Sequence, residues 1–416
     1  MHPMVKPALR RGWRDLNTVQ FGMTPAHALT LGPVDTATGS FLDLLNGTRG
    51  LALLREEGRR MDLPDGHVDT LVTRLARAGL LDDARGGGPP ADALRGRKEA
   101  LARLGPDLAS LSLTTSGPGE AMGRLAARRR LRVQVRGAGR VGALLAALLS
   151  GAGVGEVDVR DDGRVEPGDV APGGLPAEAV GERRDTAARR AARRAAAERP
   201  PRRAVGARGV AKPAGTAGPA GAAGEPGFSL VLLTPRDDVA VHAPAPSVAA
   251  PLVASGTPHL HAGVVEATGV VGPLVLPGET GCAGCLHEGR RERDPVWPRL
   301  VAQWQSGKSR HVRACDLTLA TTVAGLAAAH ALAFLDGGLP STAGARWETS
   351  LPTLQWHARP VRAHSACPCG AAEKGKAEHT SMEGESHETM AGLRSPTEPC
   401  RTAGTPRPAG TWRAHV

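Results

Sequence analysis

Two tight cysteine pairs constrain this chain more than any other feature: Cys282-Ala283-Gly284-Cys285 and, 82 positions later, Cys367-Pro368-Cys369. A C-x-x-C turn aims two sulfurs at one point, and two such turns close a tetrahedral thiolate shell around Zn²⁺. The fold must therefore bring its C-terminal part back to the turn Leu276-Pro277-Gly278-Glu279, which precedes the first pair. A closed four-sulfur shell leaves no coordination position for water, so the expected metal is structural. Four unpaired thiols are the plainer alternative. A disulfide framework does not suit 416 residues with six cysteines. His364, three residues before Cys367, is a substitute ligand should the C-x-C hairpin fail to close. Cys315 opens an apolar helical run and reads as a core thiol, whereas Cys400 lies in a polar tail.

The length suits two domains plus irregular material, at about 150 residues per domain. With no Tyr and only four Phe, the core must be built from Leu, Val and Ala. No run reaches the roughly 20 uninterrupted apolar residues that cross a bilayer. The basic start, Met1 to Trp13, lacks an apolar h-region. The expectation is a cytoplasmic protein without a membrane partner. Eight of the net +11 charges fall between Glu182 and Lys212. That Ala/Arg-rich patch reads as a solvated helix or loop rather than as a specific nucleic-acid face.

The segment 1–83 offers two short strands, Val19–Met23 and His27–Leu31, and then three helical patterns. These begin at Thr38, at Gly50 and at Val68, the last with Leu71, Val72 and Leu75 at helical spacing. This is the outline of a small winged-helix domain, with Val19–Met23 as a candidate edge strand for peptide addition. Residues 84–130 read as a linker, broken by Arg85-Gly86-Gly87-Gly88-Pro89-Pro90, followed by one bridging helix from Ala93 to Leu104. A larger α/β domain spans 131–370. A low-complexity insertion is expected at 183–227, a buried Ala-rich helix at Asp316–Leu335, and a disordered tail at 371–416.

The larger domain opens with a strand, Leu131–Val135, followed at once by Gly137-Ala138-Gly139-Arg140-Val141-Gly142. A helix of small and branched residues comes next, then the strand Val154–Val159, which ends at Asp161-Asp162. This is the first βαβ unit of a Rossmann-like sheet. Its glycines let a phosphate approach the backbone, and an acid about 20 positions on can hold a ribose. Gly137, Gly139, Gly142 and Asp161 are therefore the expected nucleotide contacts. The same glycines also serve close helix–strand packing.

The glycine loop, the Asp after the next strand and the paired cysteines flanking a late helix together resemble the ThiF family. These are the bacterial branch of the ubiquitin-activating-enzyme-like adenylyltransferases. Val271-Gly272-Pro273-Leu274-Val275-Leu276-Pro277-Gly278 and Arg293-Asp294-Pro295-Val296-Trp297-Pro298 narrow the resemblance. They are similar to stretches of the ThiF-like proteins of thiazole/oxazole-modified peptide pathways, which bind a precursor leader peptide. The resemblance implies structural Zn²⁺ on Cys282, Cys285, Cys367 and Cys369, ATP at the glycine loop, and a homodimer. It also implies a precursor or leader peptide and a partner modifying enzyme. Family members read D-x-D-x-V after the second strand, then an Asn, an Arg and a Lys. Here Gly163 replaces the second Asp, and Asp169, Pro172 and Arg184 fall at the later positions. The family's magnesium-binding Asp is displaced to Asp237 or Asp238. Proline supplies no cation to a developing phosphate charge, and arginine differs from lysine in geometry and cannot deprotonate.

Three readings compete. The first is a peptide-binding scaffold with degenerate adenylation residues, and the second an active ATP-dependent adenylyltransferase acting on a carboxylate. The third, a nicotinamide-dependent oxidoreductase on the same loop, lacks an evident His or Tyr arrangement and leaves the four cysteines unexplained.

Overall fold

The computed structural model describes residues 1–198, 227–306 and 312–373. Of the expected tail, residues 371–373 are described and are helical, with Ala371 buried; the rest of it, the Pro/Gly/Ala-rich part of the expected insertion and Cys400 lie outside the described residues.

The N-terminal part runs β1 (Pro3–Val5), β2 (Arg11–Trp13), β3 (Val19–Phe21), β4 (Leu29–Leu31), α1 (Thr36–Phe41), α2 (Leu51–Arg60), α3 (His67–Arg77) and β5 (Leu81–Asp83). Asp35 starts α1 by accepting from the Thr38 amide at 2.7 Å, the standard way to satisfy an orphan helical N–H. Val19, Phe21, Phe41, Leu54, Leu71 and Leu75 close a core of their own. β2, β3 and β4 form an antiparallel sheet with β3 in the middle. Val19–Met23 is therefore not an edge. Arg11-Gly12-Trp13, too polar to read as a strand, pairs with it and leaves β2 and β4 as the edges.

Residues 84–130 hold four helices rather than a linker and one bridging helix: α4 (Gly88–Arg95), α5 (Lys98–Arg103), α6 (Gly105–Thr114) and α7 (Glu120–Arg128). Prolines stand in the first turns of α4 and α6, where a missing N–H costs nothing, so they start helices instead of breaking them. Ala91, Leu94, Leu104 and Leu125 pack together between these helices.

The remainder builds one seven-stranded sheet. It comprises β6 (Arg132–Arg136), α8 (Arg140–Gly151), β7 (Glu156–Arg160), α9 (Arg184–Ala195), β8 (Leu230–Leu233), α10 (Asp238–His242) and α11 (Pro246–Ala254). It continues through β9 (His259–Val265), β10 (Thr268–Val275), α12 (Ala283–Arg293), α13 (Trp297–Gln305), α14 (Leu317–Leu335), β11 (Ala345–Ser350) and β12 (His357–Pro360). The order is β12-β11-β10-β9-β8-β6-β7, with β7, β6, β8 and β9 parallel and the rest antiparallel. Valine and leucine from β6, β8 and β9 meet α8 and α14 on one face in the main core.

Two expectations need correcting. The Ala/Arg-rich stretch 184–195 is not part of a solvated insertion: α9 buries Ala187, Ala188, Ala191 and Ala192 against the core. Its arginines are largely ion-paired, Arg189 with Asp158 and Arg190 with Glu182. Alanine at helical spacing makes a flat apolar face that composition alone hides behind the charges. α14 is long and apolar enough by length and composition to span a membrane. It packs against α8, β9 and β10 as a core helix. Only one face is buried, however, and Thr321, Thr322, Gly325, Ala329 and Ala333 are exposed. Its C-terminus is tied to α7 by a buried bidentate pair, Arg128 to Asp336 at 2.8 and 2.6 Å.

The second face of β9 carries His259 and His261, both buried. Burial pushes the His261 imidazole down to about 3, with His259 and Arg346 adding to the effect; burial likewise lowers His259. A depressed folded value means that stability is fully present above the unfolded value near 6.5 and lost as pH falls through the folded one. Urea denaturation between pH 6.5 and 3 should therefore show stability falling by up to about 1.4 kcal/mol per pH unit for each such histidine. His261→Leu should flatten that dependence.

Candidate functional site: a glycine loop and a four-cysteine centre

The β6–α8 turn is held by backbone collisions that only glycine avoids. Gly137 has φ +101°, and a Cβ there would collide with the Thr234 carbonyl; one at Gly142 would collide with the Gly137 carbonyl. The Thr234 hydroxyl donates to that same carbonyl at 2.7 Å. Gly139 is required for a different reason. The aliphatic stem of Arg236 lies on it, and a Cβ at 139 would stand 2.8 Å from Arg236 Cγ. The loop mouth is thus covered by a side chain of the same chain.

Asp161 does come to the loop, but its carboxylate is already engaged. It accepts from the Ala138 amide at 2.8 Å and the Gly163 amide at 2.9 Å, and from Arg184 Nη1 at 2.8 Å. Arg184 continues to Asp169 at 3.3 Å, and Arg236 reaches the other oxygen of Asp169 at 2.8 Å. Arg236 then pairs with Glu166 at 2.7 Å, and Arg313 joins Glu166 at 3.0 Å. Arg236 holds the Glu166 carboxyl below its usual range. The innermost members are almost wholly buried: Arg184 is 6%, Asp161 9% and Asp169 5% exposed.

The positions that depart from the family pattern are physically linked. A Cβ at Gly163 would stand 2.5 Å from Arg184 Nη2, so the guanidinium fills the space that a side chain at 163 would need. Glycine at 163 leaves room for the arginine at 184. Asp169 then serves as its second counter-ion. Asp237, expected as a displaced metal acid, instead caps α10 by accepting from the Ala240 amide at 2.8 Å. Sequence reasoning missed Arg236, Glu166 and Arg313. Their only trace in the sequence is the arginine of Thr234-Pro235-Arg236-Asp237.

The cysteine pairs converge. The sulfurs of Cys282, Cys285, Cys367 and Cys369 all lie within 4.8 Å of one another. Separations are 3.9 Å for Cys282–Cys285, 3.6 Å for Cys282–Cys367 and 3.4 Å for Cys285–Cys369. A tetrahedral ion with sulfurs at about 2.3 Å sets them about 3.8 Å apart, so the donor set fits zinc. The hydrogen bond between Cys282 and Cys285 lowers the pKa of the Cys285 thiol and raises that of Cys282. His364 is not needed as a substitute. Its Nε2 lies 3.2 Å from Glu292 and its Nδ1 accepts from the Ala366 amide.

Because Arg184 is fixed by Asp161, Asp169 and the Arg164 carbonyl, it has little freedom to retreat. Gly163→Ala should therefore cost about 1–3 kcal/mol in urea unfolding, whereas Gly181→Ala tests only backbone strain at a site with open space. The double variant Gly163→Ala/Arg184→Ala should lose less than the sum of the two single losses, because both act through one contact.

A family model described as "ThiF family" matches residues 119–225 and 227–369. Comparison with curated proteins gives no significant match. Among solved structures, E. coli MccB with MccA-N7isoASN is similar at a TM-score of 0.61 and 13% identity, covering 89% of this chain and 100% of that one. E. coli MccB with ATP gives 0.60 and 14%, covering 89% and 99%. The heterocyclase TruD gives 0.55 and 17%, covering 91% of this chain and 44% of that one. At these identities the likeness shows the fold. With the family model spanning more than half of its length, the chain belongs to the ThiF family.

Proposed function

We propose that this protein binds a precursor or leader peptide and presents it to a partner modifying enzyme, its adenylation site having become an internal ion-pair network. One observation carries the reading. The acid after β7, which would hold a ribose, spends its oxygens on Ala138, Gly163 and Arg184, while Arg236 lies across the phosphate-facing glycine. Adenylyl transfer needs cations facing a developing phosphate charge. Here the arginines face Asp161, Asp169 and Glu166 instead.

MccB has been solved with N-formylated MccA and with a selenomethionine form of MccA, which supports a polypeptide partner. TruD, a heterocyclase, supports the thiazole/oxazole setting. The competing reading, an active ATP-dependent adenylyltransferase, draws on the retained loop geometry and on MccB with ATP. Pyrophosphate exchange separates the two. The scaffold reading expects no ATP-dependent exchange above background with a cognate peptide that binds. Exchange at ordinary enzymatic rates, roughly 1 s⁻¹ or more, would establish the alternative.

The winged-helix-like segment is the proposed peptide reader, by strand addition at an edge. β3 bonds to β2 through the Thr18 and Gly22 pairs, so in the alternating antiparallel pattern it bonds to β4 through Leu29 and Leu31. That directs the Thr30 amide and carbonyl outward, beside the exposed Leu29 and next to Arg74 of α3, which reaches the Gly32 carbonyl. Thr30→Pro should weaken peptide affinity about tenfold by removing one edge donor. An unchanged affinity would move the reader elsewhere.

The four cysteines are assigned one structural Zn²⁺, which ties the segment after β12 to the start of α12. Elemental analysis should give one zinc per chain, and chelation should lower Tm by several degrees. The uncharged exposed face of α14 is the proposed contact for a second copy. A cytoplasmic setting suits the reduced thiols.

A further inference from the structure

The Arg293–Pro298 motif is used by neither the glycine loop nor the cysteine centre, yet it builds a distinct surface. Pro298 stands in the first turn of α13, a helix in which only Trp297 is buried. Trp297, Trp304 and His242 form a tilted aromatic triad with centroids 5.5–6.0 Å apart. Two of the six tryptophans in a chain that is 2% aromatic meet here. Trp304 is 47% exposed and Val296, one helical face away, 53%. Unlike a core cluster, this one opens to solvent.

Its buried polar groups include a donor without an acceptor. The Trp297 indole N–H is buried and has no hydrogen-bond partner among the described residues. Arg290 lies over the Trp297 ring at 4.6 Å and donates to the His242 carbonyl at 2.8 Å. No carboxylate pairs with it among the described residues. The neighbouring acids are committed: Glu288 to Arg291, Glu292 to His364, Glu348 to Arg346 and Arg359. Asp294 accepts from the Val296 amide. Across residues 288–299 four arginines stand against three carboxylates, a net charge of +1. Between Arg290 and Trp297 lies a crevice of about 10 Å³, also lined by Pro244 and Leu286, room for one water-sized atom.

We propose that the α12–α13 face is a second binding surface, which takes an acidic peptide segment with a carboxylate oxygen in the Arg290–Trp297 crevice and an apolar side chain against Trp304. Charge decides the occupant. A cationic ligand would face Arg290, with which no carboxylate pairs among the described residues, and a purely apolar one would leave the indole N–H buried without an acceptor. Tryptophan and arginine together are also the side chains that dominate binding hot spots. The neutral state of His242, pushed down to about 4 by burial and by Arg290 and Arg346, keeps its ring available for stacking.

This surface is independent of the β4 edge. The test uses the full chain with ¹⁵N-labelled indoles, each assigned by a Trp→Phe variant. It is titrated with an acetylated hexapeptide alternating glutamate and leucine, and with the glutamine–leucine counterpart. The indole signals of Trp297 and Trp304 should move with the first peptide and at least about tenfold more weakly with the second. Arg290→Gln and Trp304→Ala should each weaken binding about tenfold. Trp297→Phe, which keeps a ring in the core but deletes the N–H, should weaken it about fivefold. Thr30→Pro should leave these shifts unchanged, so a failed edge and a failed crevice are distinguishable. Equal binding of the two peptides, shifts confined to other indoles, or no shift at millimolar peptide overturns the proposal.

Discussion

Arg184 sits almost fully buried between two carboxylates, and the character of the glycine-loop site depends on that arrangement. A guanidinium withdrawn from water this far is stable only when its charge and its N–H groups are matched. Asp161, Asp169 and the Arg164 carbonyl match them. Those partners fix the loop after β7, which places Glu166 where Arg236 and Arg313 can reach it. Removing Arg184 would leave the buried Asp161 without its cationic partner, typically a loss of about 3–5 kcal/mol. The network occupies the mouth of the glycine turn.

The two candidate sites differ in how they bind the chain together. The ion-pair network joins segments that follow successive parallel strands at one end of the sheet. The cysteine centre joins the start of α12 to the segment after β12, across the antiparallel half. A third tie anchors the C-terminus of α14 to α7 through Arg128 and Asp336. A chain short of large aromatic side chains therefore relies on buried charge pairs and on four thiols at points where others would use packing.

Much of the fold was legible because period and punctuation agreed. Valine-rich strands, the tight glycine turn and the cysteine spacing each impose a local geometry, and the sheet and the four-sulfur convergence follow from them. What was illegible depended on partners distant in sequence. β2 shows no alternation and becomes a strand only because β3 lies beside it, which turned the expected edge into a centre. The alanines of α9 were masked by their arginines. At the glycine loop, the glycines and Asp161 stood out in the sequence. That Gly163 leaves the space that Arg184 fills did not, since that is a matter of a side chain occupying a neighbour's space.

The central claim is that the loop is filled by this chain's own side chains. Isothermal titration of the full-length, metal-replete protein with Mg²⁺–ATP tests it most directly. The account predicts no saturable heat up to millimolar nucleotide, because Arg236 and Arg184 would have to abandon buried counter-ions before a phosphate could enter. Saturable binding in the micromolar range, about 8 kcal/mol of affinity, would contradict it.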